Sequence, residues 1–121
     1  MLKIKRQVLD GIAEAAKNTY PREFFALLGK DKKGVIEELI IVPSTYGKTH
    51  VLVKSHLIPI DSKIAGSVHS HPISSLKPSK EDISSFPNFG EVHLIISWPF
   101  RIEDVKAYDV FGKEIPWVIV E

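Results

Sequence analysis

The chain has 121 residues, 44% of them hydrophobic and 26% charged, which suits one folded domain around one core and excludes a disordered or collagen-like chain. Sixteen lysines and arginines oppose fifteen aspartates and glutamates, a net charge of +1; that is no footprint for a nucleic-acid partner, and the apolar runs are far too short to span a bilayer. Cysteine is absent, so disulfides, thiolate nucleophiles and Cys-ligated zinc are excluded together, leaving histidine and carboxylate as the strong transition-metal ligands.

Met1, Leu2, Lys3, Ile4 and Lys5 carry no continuous apolar stretch with a cleavage site, so no signal peptide is read there and a cytoplasmic location is expected. Val8, Leu9, Ile12, Ala15 and Ala16 recur at spacings of three and four, the stripe of a helix over residues 5–18. Pro21 biases Tyr20 away from helical angles, so the helix should stop before it. Residues 23–29 and 35–42 read as the strands of a hairpin about a polar turn at 30–34. Further strands are predicted at 50–54, 64–70, 92–97, 104–110 and 117–120, with Phe111, Gly112 and Lys113 turning the chain between the last two. Ser79 followed three residues later by Asp82 reads as the start of a short helix reaching about Phe86. Strand runs outnumber helices, and no repeat or linker interrupts them. The expected class is α+β, a single domain over residues 1–121 with two helices beside a sheet.

Most of the chemistry is concentrated between residues 69 and 82. On a strand, residues two apart share a face, so His69 and His71 present two imidazoles side by side at a strand end. A seven-residue loop then leads to Ser79 and to a helix whose first turn carries Asp82, bringing a carboxylate toward the same point. Two neutral imidazoles and one carboxylate suit a tetrahedral zinc with one open position, the arrangement of catalytic sites. A divalent ion so held lowers the pKa of bound water from about 15.7 toward roughly 7. Such a site still needs a base.

His-x-His, seven residues, Ser, two residues, Asp resembles the motif of the JAMM, or MPN-plus, metalloprotease family. The run from Pro21 to Gly29 through Glu23, Phe24 and Phe25 resembles that family's upstream strand, where the catalytic glutamate lies. The likeness spans nearly the whole chain and is closest to compact archaeal members. It implies a cytidine-deaminase-like mixed sheet flanked by two or more helices. It also implies one catalytic Zn2+ on His69, His71 and Asp82, Glu23 as the proton acceptor, and Ser79 holding the water or the developing oxyanion. The activity implied is an isopeptidase that detaches a ubiquitin-like or small archaeal modifier protein, or trims its precursor. The modifier is then the partner, with no nucleic acid and no membrane. An extended, Gly-rich modifier tail would add as a strand along a sheet edge, flanked by residues 43–48.

Other readings of the same residues stand beside these. Ser79 and Asp82 form a capping box with or without a metal, and a carboxylate engaged by zinc would be less free to reach back to the Ser79 amide. Glu23, taken alone, is a solvated strand-edge acid. His50, His56 and His93 fit no ligand spacing and read as surface or strand residues; Phe24, Phe25 and the surroundings of Trp98 and Trp117 read as core or hairpin packing. A non-catalytic modifier-binding or scaffold module is the alternative function. A zinc nucleobase deaminase would need a Pro-Cys-x-x-Cys element that a chain without cysteine cannot supply.

Overall fold

The computed structural model describes residues 1–41, 44–46, 51–53, 63–73 and 78–121. In chain order the elements are β1 Leu2–Lys5, α1 Arg6–Thr19, β2 Phe25–Lys30, β3 Ile36–Ile40, β4 Ser44–Tyr46, β5 Val51–Val53, β6 Ile64–His71, α2 Lys80–Ser85, β7 Val92–Ser97, β8 Val105–Tyr108, β9 Glu114–Ile115 and β10 Trp117–Val120. Among the described residues eight strands form one mixed sheet in the order β10-β1-β3-β2-β6-β7-β8-β9, and β4 pairs only with β5. The expected class, α+β with a mixed sheet and two helices, is the one found. No helix among the described residues is long and apolar enough to cross a membrane.

Helix α1 forms where the apolar stripe predicts it and ends at Tyr20, whose ψ of 137° is extended. Its buried Val8, Leu9, Ile12 and Ala16 pack with Phe24, Ala26, Leu28, Val68, Leu94 and Ile96 on one face of the sheet. Burying Val8, Leu9 and Ile12 contributes about 1.5–3 kcal/mol each. The alternate residues of β2, Phe25 and Leu27, face the other way and pack with Phe89 and Ile40. On that second face Phe86, Ile95 and Tyr108 meet Ile83 of α2. One helix therefore covers each face, and the side chains of Ser67, His69 and His71 alternate onto the face that α2 covers.

The β2–β3 hairpin turns on Asp31, whose Oδ1 accepts the N–H groups of Lys33 at 2.8 Å and Val35 at 2.9 Å. Gly34, at φ +84°, takes the left-handed conformation that favours glycine. Strands β6 and β7 are parallel, with His69 opposite Ile95 and His71 opposite Ser97. Parallel neighbours require a crossover, and that crossover carries α2. At Gly66 a Cβ would overlap the Val92 carbonyl, so only glycine lets β6 approach β7 so closely there.

Three features differ from the expectation. Strand 117–120 does not close a hairpin with β8. After the turn at Asp109, Ile115 and Glu114 pair with β8, and Pro116, lacking an N–H, ends that ladder. Trp117–Val120 then pairs in parallel with Leu2–Lys5 at the opposite side of the sheet, making a strand where the sequence predicts none. Trp98 is 47% exposed rather than core. The predicted strand at 50–54 is present as Val51–Val53; His50 and His56 lie outside the described residues, as do residues 43, 47 and 48 of segment 43–48.

Candidate metal centre

The ligand candidates come from two elements that meet at one end of the sheet. His69 and His71 are the last alternate pair on β6, and Asp82 is the third residue of α2. His69 Nε2 and His71 Nε2 lie 3.1 Å apart. Asp82 Oδ1 is 3.2 Å from His69 Nε2, and Asp82 Oδ2 is 3.2 Å from His71 Nε2. Among the described residues these three form the group of side chains placed to share a metal ion, with ligand atoms all within 4.8 Å of one another.

The spacing can be tested against zinc. Bond lengths of about 2.0–2.1 Å imply tetrahedral edges of roughly 3.3 Å; the two imidazole nitrogens are 3.1 Å apart and each has a different Asp82 oxygen at 3.2 Å, so the donors are close enough to converge on one ion. Two facing imidazole nitrogens can place at most one proton between them, so their common approach to a carboxylate suits a shared cation better than mutual hydrogen bonding. The donor set fits zinc.

Helix α2 starts with the predicted capping box. Ser79 Oγ accepts the Asp82 N–H at 3.1 Å, and Asp82 Oδ2 accepts the Ser79 N–H at 2.8 Å. The cap and the approach to the imidazoles coexist in one rotamer. The same carboxylate reaches both the Ser79 amide and the two imidazoles, so the box fixes the rotamer that aims Asp82 at the histidines. Burial opposes ionisation of Asp82, but hydrogen bonds from His69 and His71, the charge of His69, and the Ser79 N–H outweigh it and hold the carboxyl well below the usual carboxylate range.

Glu23 lies two residues before β2 and is 7% exposed, so it is not the solvated edge acid that its position alone suggests. Continuing the β2–β6 register, in which Phe25 opposes His69, puts Glu23 opposite His71. Burial pushes its carboxyl up to about 7; the charge of His71 lowers it and that of Asp82 raises it. An acid poised near neutrality beside a metal site, but outside the ligand cluster, has the properties of a general base. All five sequence-selected residues thus gather at this end of the sheet.

His93 is the buried histidine that the sequence underrates. On β7 it is fully buried, its Nδ1 2.9 Å from Ser67 Oγ and its Nε2 2.9 Å from the Gly90 carbonyl oxygen. Its ring stacks on Phe86 at 4.1 Å with an interplanar angle of 2°, tying the end of α2 to the sheet behind the metal site. The available signal was a polar residue at an inward position of the apolar run 92–97, matched by Ser67 on β6. Burial lowers the His93 pKa from 6.5 to about 4, against the raising effect of the Gly90 carbonyl. A depressed folded value means that its contribution is complete above about pH 6.5 and is lost as pH falls through about 4, on the order of 3 kcal/mol. Urea unfolding of chelator-treated protein should therefore show a loss of stability between pH 7 and pH 4.5 that is smaller in His93→Phe; equal losses in both proteins would refute this account.

Comparison with known proteins agrees with this geometry. The profile of prokaryotic homologs of the JAB domain matches residues 5–110. A probable metalloprotease of Haloferax volcanii is 35% identical over 120 residues, spanning 91% of this chain and 74% of that protein. A JAB1/MPN domain protein from Archaeoglobus fulgidus is 37% identical, with a TM-score of 0.79 over 100% of this chain and 98% of its own. A solved structure described as JAMM, a metalloprotease-like zinc site in the proteasome and signalosome, has the same identity and TM-score and is covered over 99% of its length. A protein from Desulfitobacterium hafniense, 18% identical with a TM-score of 0.68, shares the fold.

Proposed function

The chain belongs to the family of prokaryotic homologs of the JAB domain, and from that premise we propose that it is a JAMM-type peptidase using one zinc ion to cut at the C-terminal tail of a ubiquitin-like or small modifier protein. His69, His71 and Asp82 hold the ion. When bound, zinc polarises the scissile carbonyl and acidifies a water molecule. Glu23 takes a proton from the attacking water and delivers it to the leaving amine, serving as base and then acid. The amide C–N bond gives way to a C–O bond, leaving a carboxylate on the tail and an amine on the target. Ser79 Oγ accepts from the Asp82 N–H, which leaves its hydroxyl hydrogen to donate to the developing oxyanion, a contact worth roughly 2.7–4 kcal/mol in comparable hydrolases.

The observation that supports the substrate class is the low exposure of the ligand side chains. The side chains of His69, His71 and Asp82 are 9%, 13% and 17% exposed. Groups so little exposed are met more readily by an extended terminal tail with small side chains than by the broad surface of a folded protein. A tail of this kind presents mainly backbone, which suits recognition through backbone hydrogen bonds.

The test is to incubate the zinc-loaded protein with small modifier proteins fused through their C-terminal tails to a reporter, and to locate the cut by mass spectrometry. Cleavage directly after the tail, abolished by chelator and restored by zinc, is the expected result. Stoichiometric zinc and tight modifier binding without any cleavage would instead make the chain a binding module.

A further inference from the structure

Ser70, between the two histidines, points away from them because side chains alternate along β6. It is 1% exposed, and its partner is the backbone of the segment that carries Glu23. In the β2–β6 ladder Phe25 opposes His69 and Ala26 opposes Val68; the next pair outward is Phe24 with Ser70. An antiparallel pair of this kind ordinarily exchanges two backbone hydrogen bonds. One is present, from the Ser70 N–H to the Phe24 carbonyl at 2.9 Å. The other is supplied by a side chain, since the Phe24 N–H donates to Ser70 Oγ at 2.7 Å.

The amide nitrogen of Phe24 belongs to the peptide group whose carbonyl carbon is that of Glu23. A bond to that N–H therefore fixes the peptide plane on which the Glu23 side chain is mounted. The chain reaches this point from the end of α1, where the Arg22 N–H donates to the Thr19 carbonyl at 3.0 Å, and β2 begins only at Phe25. Without the hydroxyl, a buried amide would lose its acceptor, and of the two hydrogen bonds that join Phe24 to Ser70 one would be gone. We infer that Ser70 is the positioning residue of Glu23, a side-chain rung that registers the general base against the strand bearing His69 and His71. The inference rests on the assignment of Glu23 as that base. It gives the residue between the ligands a task distinct from metal binding.

Thr and Val at position 70 have nearly the same shape and differ in the hydroxyl, so any steric cost of enlarging a buried serine is shared. Ser70→Thr, Ser70→Val and Ser70→Ala would be compared for the hydrogen exchange of the Phe24 amide, for zinc affinity, and for kcat and KM on a cleavable modifier fusion. Val and Ala are expected to speed exchange of the Phe24 amide by about 10-fold or more relative to Thr. They are also expected to lower kcat by between about 10-fold and 100-fold at similar KM, as a displaced catalytic group does, with zinc affinity unchanged and with Thr restoring both exchange and turnover. Thr and Val behaving alike, or zinc affinity and kcat falling together, would overturn the inference. The exchange measurement needs no substrate. A wild-type protein that cuts no fusion would count against the peptidase reading, and Phe24 exchange alone would then decide whether Ser70 holds the Glu23 backbone.

Discussion

Replacing Glu23 by glutamine is expected to lower kcat by about 100- to 10,000-fold, the range supplied by a positioned general base, while zinc content stays stoichiometric. Glutamine keeps the size and the hydrogen-bonding ability of the side chain but cannot accept a proton from water and return it to an amine. Because Glu23 lies outside the cluster formed by His69, His71 and Asp82, the metal should be retained. Stability should move the other way. In the metal-free chain, burial holds the Glu23 carboxyl at about 7 against an ordinary value of 4.5. The stability linked to its neutral form is thus complete below about pH 4.5 and is lost as pH rises through 7. Glutamine cannot ionise, so the metal-free variant should be more stable than wild type above pH 7. Activity lost together with stability gained is the behaviour of a group retained for chemistry rather than packing. Thermal melts with chelator and steady-state kinetics with zinc measure the two effects separately; a variant that keeps wild-type kcat, or that loses its zinc, would contradict the assignment.

The local parts of this fold were open to sequence reading because their determinants are local. The stripe from Val8 to Ala16, the turn around Asp31 and Gly34, and the box of Ser79 and Asp82 each set a short stretch by its own spacing. The candidate metal cluster was legible for the same reason. His69 and His71 sit two apart on one strand, and only Asp82 comes from elsewhere, along a crossover short enough to bring it back. Non-local pairing was not legible. Nothing in Trp117–Val120 specifies that it runs parallel to Leu2–Lys5 at the far side of the sheet instead of beside β8, because strand partners are chosen by the whole sheet's burial rather than by either segment. His93 was missed by the same logic. An imidazole in an apolar strand is ambiguous until Ser67, the Gly90 carbonyl and Phe86 are seen around it. Glu23 lay between these cases: the resemblance identified it, but its 7% exposure, which gives the acid a value suited to neutral pH, is a product of packing.

Asp82→Asn separates the two tasks of the most heavily used side chain in the site. Asparagine retains a carbonyl oxygen able to accept the Ser79 N–H, and its own backbone N–H can still donate to Ser79 Oγ, so the box at the start of α2 should survive. The lost negative charge near a helix N-terminus costs about 0.3–1 kcal/mol, and the chelator-treated variant also gives up the charged contacts with His69 and His71 that hold the Asp82 carboxyl low, so it should be destabilised by more than the cap alone accounts for. Zinc binding should respond far more. A neutral amide oxygen replaces the anionic ligand, leaving the metal's charge less compensated, so affinity should fall by more than the roughly 10- to 100-fold typical when a supporting residue is removed, and peptidase activity should fall with it at limiting zinc. Metal-linked stabilisation, about 2.7 kcal/mol when free zinc stands at 100 times Kd, should largely disappear at the same zinc concentration. Asp82→Ala should add the loss of the carboxylate that accepts the Ser79 N–H at 2.8 Å, lowering stability even with chelator present. Zinc titrations and melts of the three proteins, with and without chelator, resolve cap from ligand. An asparagine variant that binds zinc as tightly as the wild type would leave Asp82 as a helix cap alone and remove the third member of the metal site.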